Sequence, residues 1–400
     1  MKKYNIVTKN KYINNEKNSL NFYWRKIKPS YKILITILIT LGILIGIFYG
    51  FGSWYQQKHK NQPITLGMTF IADYASYLGV DPHKTMLALR DDLGYKHFRL
   101  VSYWNDIEST QGNYDFTELD WEVKQVSQVH GSVSLAIGLR QPRWPECHIP
   151  TWAQNTPTSY WYPKLLNFMT AVATRYKDNP TVTSYQLENE YFLNVFANCP
   201  DSTRPRLIEE FNLVKKINPS KPVIISLSNN YIGFPTGQPR PDIYGVSVYK
   251  RVWDKNISHR YFEYPFPSWW YSARAGVTEL LTGKPSVIHE LQAEPWPPKG
   301  INDASQTELA KSMTPKLLRE RIKYAEKSGI NNIDLWGGEW WYEELTKYNN
   351  PGFWNVAKDE MKSVRNSNMK LHQKLNNQQS LNTTTNFFAS ERINYQKIIN

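Results

Sequence analysis

The chain has 400 residues, 41% of them hydrophobic and 14% aromatic, enough to bury a sizeable core in one large domain or two ordinary ones. Its formal net charge is +13, yet residues 1–62 hold +10 and residues 358–400 hold +4, leaving −1 over residues 63–357. A near-neutral middle has no electrostatic footprint for a phosphate backbone, which excludes nucleic acid as the principal partner.

Residues 1–32 form a basic segment with nine Lys or Arg and one Glu. The run ILITILITLGILIGIFYGF, residues 33–51, is uncharged. At about 1.5 Å per residue it is long enough to cross a hydrocarbon layer of roughly 30 Å as a helix. It exceeds the roughly 7–15 residues of a signal-peptide core, and no A-x-A-like site follows, so the sequence predicts an uncleaved transmembrane anchor. The basic flank predicts a cytoplasmic N-terminus, hence a single-pass protein of the cell membrane with the remainder extracytoplasmic. Residues 52–62 read as a short linker.

Over residues 63–365 apolar strand-like runs alternate with amphipathic helical stretches, the pattern of a parallel α/β sheet. The strands are expected at 64–71, 97–104, 132–139, 182–190, 222–229, 243–249, 285–292 and 331–337. Helices are expected among them at 85–94, 119–131, 163–177, 206–218 and 307–329, where apolar residues recur every three or four positions. Eight strands predict a closed (β/α)8 TIM barrel. The link YIGFPTGQPRPD, 231–242, is too rich in Pro and Gly for a full helix. Residues 366–400 turn to Asn, Gln, Ser, Thr and Lys and read as a disordered polar tail.

In such a barrel the reactive groups stand at the C-terminal ends of the strands. Glu190 ends the fourth strand, in YQLENEY, and Glu290 ends the seventh, in PSVIHE. Two carboxylates across a small cleft are what glycosidic cleavage needs, one to protonate the leaving oxygen and one to attack the anomeric carbon or activate water. Taken singly, either would more often cap a loop or bridge a cation. Their neighbours change the weighing. Arg99 on the second strand would keep a nearby carboxylate ionised, Tyr249 at the end of the sixth could hydrogen-bond the same carboxylate, Asn189 could bind a sugar 2-hydroxyl, and Trp336 at the end of the eighth could form an apolar sugar platform.

The segments FRLVSYWNDIESTQGNYDFTELD, LENEY, VIHELQAEPW and LWGGEWW resemble those of the retaining glycoside hydrolases of clan A, the cellulase-like and β-galactosidase-like (β/α)8 enzymes. That resemblance implies Glu190 as acid/base and Glu290 as nucleophile, and it places the clan's Arg, Tyr and Trp on Arg99, Tyr249 and Trp336. It covers about residues 64–360 and leaves the family within the clan open. A carboxyl separation of roughly 5–5.5 Å and retention of configuration follow as expectations, with Glu190 kept protonated by burial and a neighbouring negative charge.

Glu188 is expected on the same side of the strand as Glu190, His289 opposite to Glu290 at a helix–sheet interface, and Glu294 in the following loop. Trp144 and Trp296, on loops, are candidates for stacking on pyranose rings. Arg140, Arg143 and Trp144 either line a subsite or brace their loop. Cys147 and Cys199 fall in the adjacent third and fourth loops, where a disulfide is geometrically reasonable. No phosphate loop or metal spacing is evident, so neither cofactor nor metal is expected. The expected function is membrane-anchored hydrolysis of extracytoplasmic poly- or oligosaccharide; the alternative is a non-catalytic carbohydrate-binding surface protein on the same barrel.

Overall fold

A computed structural model describes residues 28–193, 199–231, 233–234, 237–255 and 257–398, with side chains through residue 377. The chain divides into two units, Met1–Phe51 and Gly52–Asn400. In the first, the described residues from Pro29 onward belong to the helix Pro29–His59, which is long and apolar enough to cross a membrane. Ile33, Leu34, Ile37, Leu38, Leu41, Leu44 and Ile47 are all exposed there.

The second unit is a closed barrel of eight parallel strands: β1 (Thr65–Thr69), β2 (His97–Leu100), β3 (Ser132–Ile137), β4 (Val182–Leu187), β5 (Val223–Leu227), β6 (Ile243–Val248), then, after the antiparallel hairpin β7 (Arg251–Asp254) and β8 (Arg260–Glu263), β9 (Ser286–Gln292) and β10 (Asn332–Trp336). Closure is made by β10 pairing β1, with Thr65 opposite Asn332 and Thr69 opposite Trp336. All eight expected strands are present, trimmed by one to four residues, and no helix is described between β5 and β6. The β7–β8 hairpin and the helix Ser268–Thr282 were not expected; the latter's WW and Gly obscure its periodicity.

Helix boundaries follow capping chemistry. The Asp81 side chain accepts from the Lys84 amide and Pro82 opens the helix Pro82–Asp91. The helix expected over 307–329 is two, Gln306–Leu309 and Pro315–Glu326, because Thr314 caps a new start by accepting from the Leu317 amide and Pro315 has no N–H to continue an earlier helix. Leu318, Ile322 and Ala325 then face the barrel and are buried.

Two boundaries need correction. Residues 52–62 are not a free linker: the helix continues to His59, Tyr55 is buried, and the Gln56 amide donates to Ser272 Oγ at 2.9 Å and to the Lys327 carbonyl at 2.8 Å. Nor is residues 366–400 a coil where it is described, since the helix Gly352–Ile398 runs through it. No Pro or Gly follows Gly352 to stop that helix.

Candidate active site

Arg99 is fully buried and reaches across the barrel interior from β2. Its Nε donates to Gln186 Oε1 on β4 at 2.6 Å, its Nη1 to Glu290 Oε1 at 2.8 Å and to the His289 carbonyl on β9 at 3.2 Å, and its Nη2 to Asn189 Oδ1 at 3.0 Å. The Tyr249 hydroxyl donates to the other oxygen of Glu290 at 2.9 Å. Burial, with Glu290 and Glu190 nearby, pushes the Tyr249 phenol well above its usual range, so it stays a donor. Both oxygens of Glu290 thus accept from a cation or a neutral hydroxyl, an environment suited to a carboxylate.

Glu290 reaches this position through a bulge. Across β6 and β9 the register runs Val246 to Ile288 and then Ser247 to Glu290, and across β9 and β10 it runs Ile288 to Ile333 and then Leu291 to Leu335. His289 is the extra residue, and the bulge breaks the strict alternation of sides. This corrects the expectation for His289: it lies inside the barrel, its Nε2 3.3 Å from Ser134 Oγ and 3.5 Å from Asp334. Burial and then Arg99 push its pKa well down, which keeps it neutral.

The fourth strand ends at Leu187, earlier than expected, and Glu188, Asn189 and Glu190 form the turn beyond it. Glu188 (φ 52°) and Glu190 (φ 45°) both take left-handed backbone, which is uncommon for non-glycine residues and concentrates at functional sites. The turn undoes strand alternation. Glu188 turns away from Glu290 and accepts from the amides of Leu139 at 2.7 Å and Arg140 at 2.8 Å, with Arg206 at 3.4 Å. Gly138 permits this, because its φ is +116° and a Cβ there would lie 2.4 Å from Glu188 Oε1. Glu188 is therefore a brace for the turn. Asn189 Oδ1 accepts from Arg99, from Gln186 Nε2 at 3.0 Å and from Ser226 Oγ at 3.3 Å, which fixes the amide plane.

The Glu190 carboxyl has a pKa pushed up to about 8, by burial first, then by the charges of Glu290 and Glu146; the hydroxyls of Ser247 and Ser228 pull the other way. One buried carboxyl is held among donors and the other is biased toward the acid. That separation of environments is what assigns acid and base roles among paired carboxylates.

Trp336 is less open than expected of a sugar platform. It is buried, its indole N–H donates to Glu294 Oε1 at 2.8 Å, and the Arg143 guanidinium lies 4.4 Å over its ring. Arg143 also lies 3.2 Å over the Tyr74 ring and pairs with Glu294 at 3.1 Å. Trp144 (71% exposed) and Trp296 (42% exposed) instead line an adjoining cleft of about 730 Å³, together with Tyr74, Tyr103, Arg143 and Glu294. Glu190 and Glu290 are not among its lining residues. Trp296 packs edge-on against Tyr249 at 5.3 Å, which links the cleft to the carboxylate pair. Cys147 and Cys199 are joined by a disulfide, with Cα atoms 5.4 Å apart. Arg140 braces its loop: its Nε donates to Glu146 Oε2 at 2.6 Å. Sequence reasoning missed Gln186 and Glu146; period-two alternation back from Glu188 pointed to Gln186, whereas nothing local marks Glu146. Among the described residues no group of three or more His, Cys, Asp or Glu is placed to hold a metal ion.

Residues 57–275, more than half of the chain, match the cellulase family, glycosyl hydrolase family 5. The match takes in Arg99, Asn189, Glu190 and Tyr249 and stops before Glu290. No curated protein matches the chain. Among solved structures, the β-galactosidase of the Antarctic haloarchaeon Halorubrum lacusprofundi superposes with a TM-score of 0.50 at 12% identity, over 75% of this chain and 58% of that one. Native xylanase 10B from Thermotoga maritima superposes with a TM-score of 0.50 at 14% identity, over 77% of this chain and 99% of that one. A catalytic mutant of the GH42 β-galactosidase Gan42B from G. stearothermophilus gives 0.51 at 12% identity, over 76% and 57%. The chain thus spans less than two thirds of the two β-galactosidases, and at these identities the likeness is one of fold. With the family match over more than half of its length, the chain belongs to the cellulase family, glycosyl hydrolase family 5, within clan A.

Proposed function

We propose that the protein hydrolyses O-glycosidic bonds of an extracytoplasmic poly- or oligosaccharide by double displacement, with Glu190 as acid/base and Glu290 as nucleophile, while residues 33–51 anchor it in the cell membrane. In the first step the Glu190 proton passes to the glycosidic oxygen, the bond from that oxygen to the anomeric carbon breaks, and a Glu290 oxygen bonds the anomeric carbon. In the second, Glu190 takes a proton from water, the water oxygen bonds the anomeric carbon, and the ester to Glu290 breaks. Asn189 donates to the sugar 2-hydroxyl, Arg99 and Tyr249 hold Glu290, and Trp144 and Trp296 stack on neighbouring rings.

The observation that carries this reading is the contrast between the two carboxyls: Glu290 accepts from Arg99 at 2.8 Å and from Tyr249 at 2.9 Å, while burial and like charge push Glu190 up to about 8. The exposed apolar helix residues and the basic segment before them support the anchor and the cytoplasmic N-terminus. The test is intact mass of the full chain in detergent after exposure to a panel of 2-deoxy-2-fluoro glycosides. An added mass of one glycosyl unit is expected in the wild type and not in Glu290→Gln. A label that persists in Glu290→Gln would place the nucleophile elsewhere.

A further inference from the structure

We propose that Glu146 is a positioning residue for Glu190: through Arg140 it fixes the turn that carries the acid, and it sets a second negative charge beside that carboxyl. The inference rests on the role proposed for Glu190. Neither the family match nor the resemblance of the strand ends assigns anything to Glu146.

The geometry is a clasp. Arg140 is buried, and its Nη1 donates to the Glu190 carbonyl at 3.1 Å and the Leu193 carbonyl at 3.0 Å. Its main chain holds the same turn from the other side, for the Arg140 amide donates to Glu188 and the Arg140 carbonyl accepts from the Asn189 amide at 2.6 Å. What orients the guanidinium is Glu146, at 2.6 Å from Nε.

Glu146 is itself over-determined. Its amide donates to the Arg143 carbonyl at 2.7 Å, its carbonyl accepts from the Gln141 amide at 2.8 Å, and the next residue, Cys147, is bonded to Cys199 beyond the acid-bearing turn. Glu146 (φ 65°) and Arg143 (φ 80°) both hold left-handed backbone. Non-glycine residues persist in that region where the surroundings impose it, as at binding and catalytic sites.

The charge acts in the same direction as burial. Glu290 from β9 and Glu146 from the third loop disfavour ionisation of Glu190; the Ser228 and Ser247 hydroxyls favour it. Arg99 stands behind Glu290, Tyr249 donates to it, and Glu188 points away toward Arg206. Burial raises the pKa of Glu146 as well, and Arg140 offsets part of that rise. In Glu146→Gln the negative charge is lost and Arg140 is left uncompensated, so both changes make Glu190 easier to ionise.

The experiment is kcat/KM against pH for the full chain in detergent, on the 4-methoxyphenyl glycoside of whichever sugar labels Glu290. This leaving group needs the proton. The wild-type rate should fall on the alkaline side as Glu190 ionises. In Glu146→Gln that limb should move to lower pH by about half a unit or more. Glu146→Ala, which removes the same charge without setting an amide N–H against the Arg140 guanidinium, should move it the same way and decides the matter if the first variant does not fold. A reduced rate with an unmoved limb, in whichever variant folds, overturns the proposal and leaves Glu146 a mere brace. A limb that survives in Glu190→Gln overturns the reading of Glu190 itself, so the two failures are distinct.

Discussion

Glu188 and Glu190 are two residues apart, both acidic and both buried, yet the turn between them gives them opposite work. Glu188 satisfies two backbone amides and faces Arg206, whereas Glu190 has its charged form disfavoured. Glu188→Ala should therefore destabilise the fold by roughly 2–5 kcal/mol, since it strips two buried amides of their acceptor and leaves Arg206 with Glu210 alone, at 3.0 Å; urea unfolding would measure it. Glu190→Gln should do the reverse. The Glu190 pKa rises from 4.5 to about 8 on folding. Below the lower value both states hold the proton and the site costs nothing. Between the two the unfolded chain releases a proton that the folded chain keeps, so stability falls as pH rises, and above the higher value the penalty is complete. Glu190→Gln should melt above the wild type by about 2–4 °C for each kcal/mol relieved at about pH 8, and level with it at about pH 4. Equal melting at both pH values would mean that no raised carboxyl exists at this site.

At the scale of elements, what was legible in the sequence is what local chemistry dictates. Apolar runs such as SVSLAI and VIISL mark strands because both faces of a parallel barrel strand are buried, and the β/α alternation then forces closure. Arg99, Asn189, Glu190, Tyr249 and Glu290 were legible as a set because strand ends converge on one mouth, and the structure brings Arg99 to Asn189 and Glu290 and brings Tyr249 to Glu290. What stayed hidden are features set by pairing partners far away in sequence. Strict alternation sends His289 outward; only the registers with β6 and β10 reveal the bulge. The same limit applies to Trp336, whose ring face is occupied by Arg143 from a loop almost two hundred residues earlier in the chain, a contact no local pattern announces. The helix Ser268–Thr282 was missed for a local reason, its paired tryptophans and Gly276 obscuring the helical period although Tyr271 and Ala275 are buried and Gly283 (φ +70°) ends it in left-handed backbone.

At the scale of the molecule, the barrel unit begins at Gly52, before the first strand, and this has a cost for any shortened chain. Gly52 sits against the helix Ser268–Thr282 so closely that a Cβ would come within 2.8 Å of the Trp269 carbonyl. Three residues on, Tyr55 is 2% exposed; Gln56 bonds Ser272 and Lys327; Lys58 and His59 both meet the Glu279 carboxylate, the latter at 2.8 Å. Burying a side chain as large as Tyr55 stabilises by roughly 1.5–3 kcal/mol, and Glu279 keeps its pKa below the usual carboxylate value against burial because Lys58 and His59 donate to it. A chain starting at residue 63 loses all of these contacts, while one starting at Gly52 keeps them. The longer form should therefore melt about 5 °C or more above the shorter, and Gly52→Leu in the full chain should reproduce part of the loss by forcing the helix off its seat. Scanning calorimetry on the three proteins measures this. If residues 63–400 melted with residues 52–400, the segment would be a passive tether after all, and the contacts of Tyr55 and Gln56 would contribute nothing to the barrel.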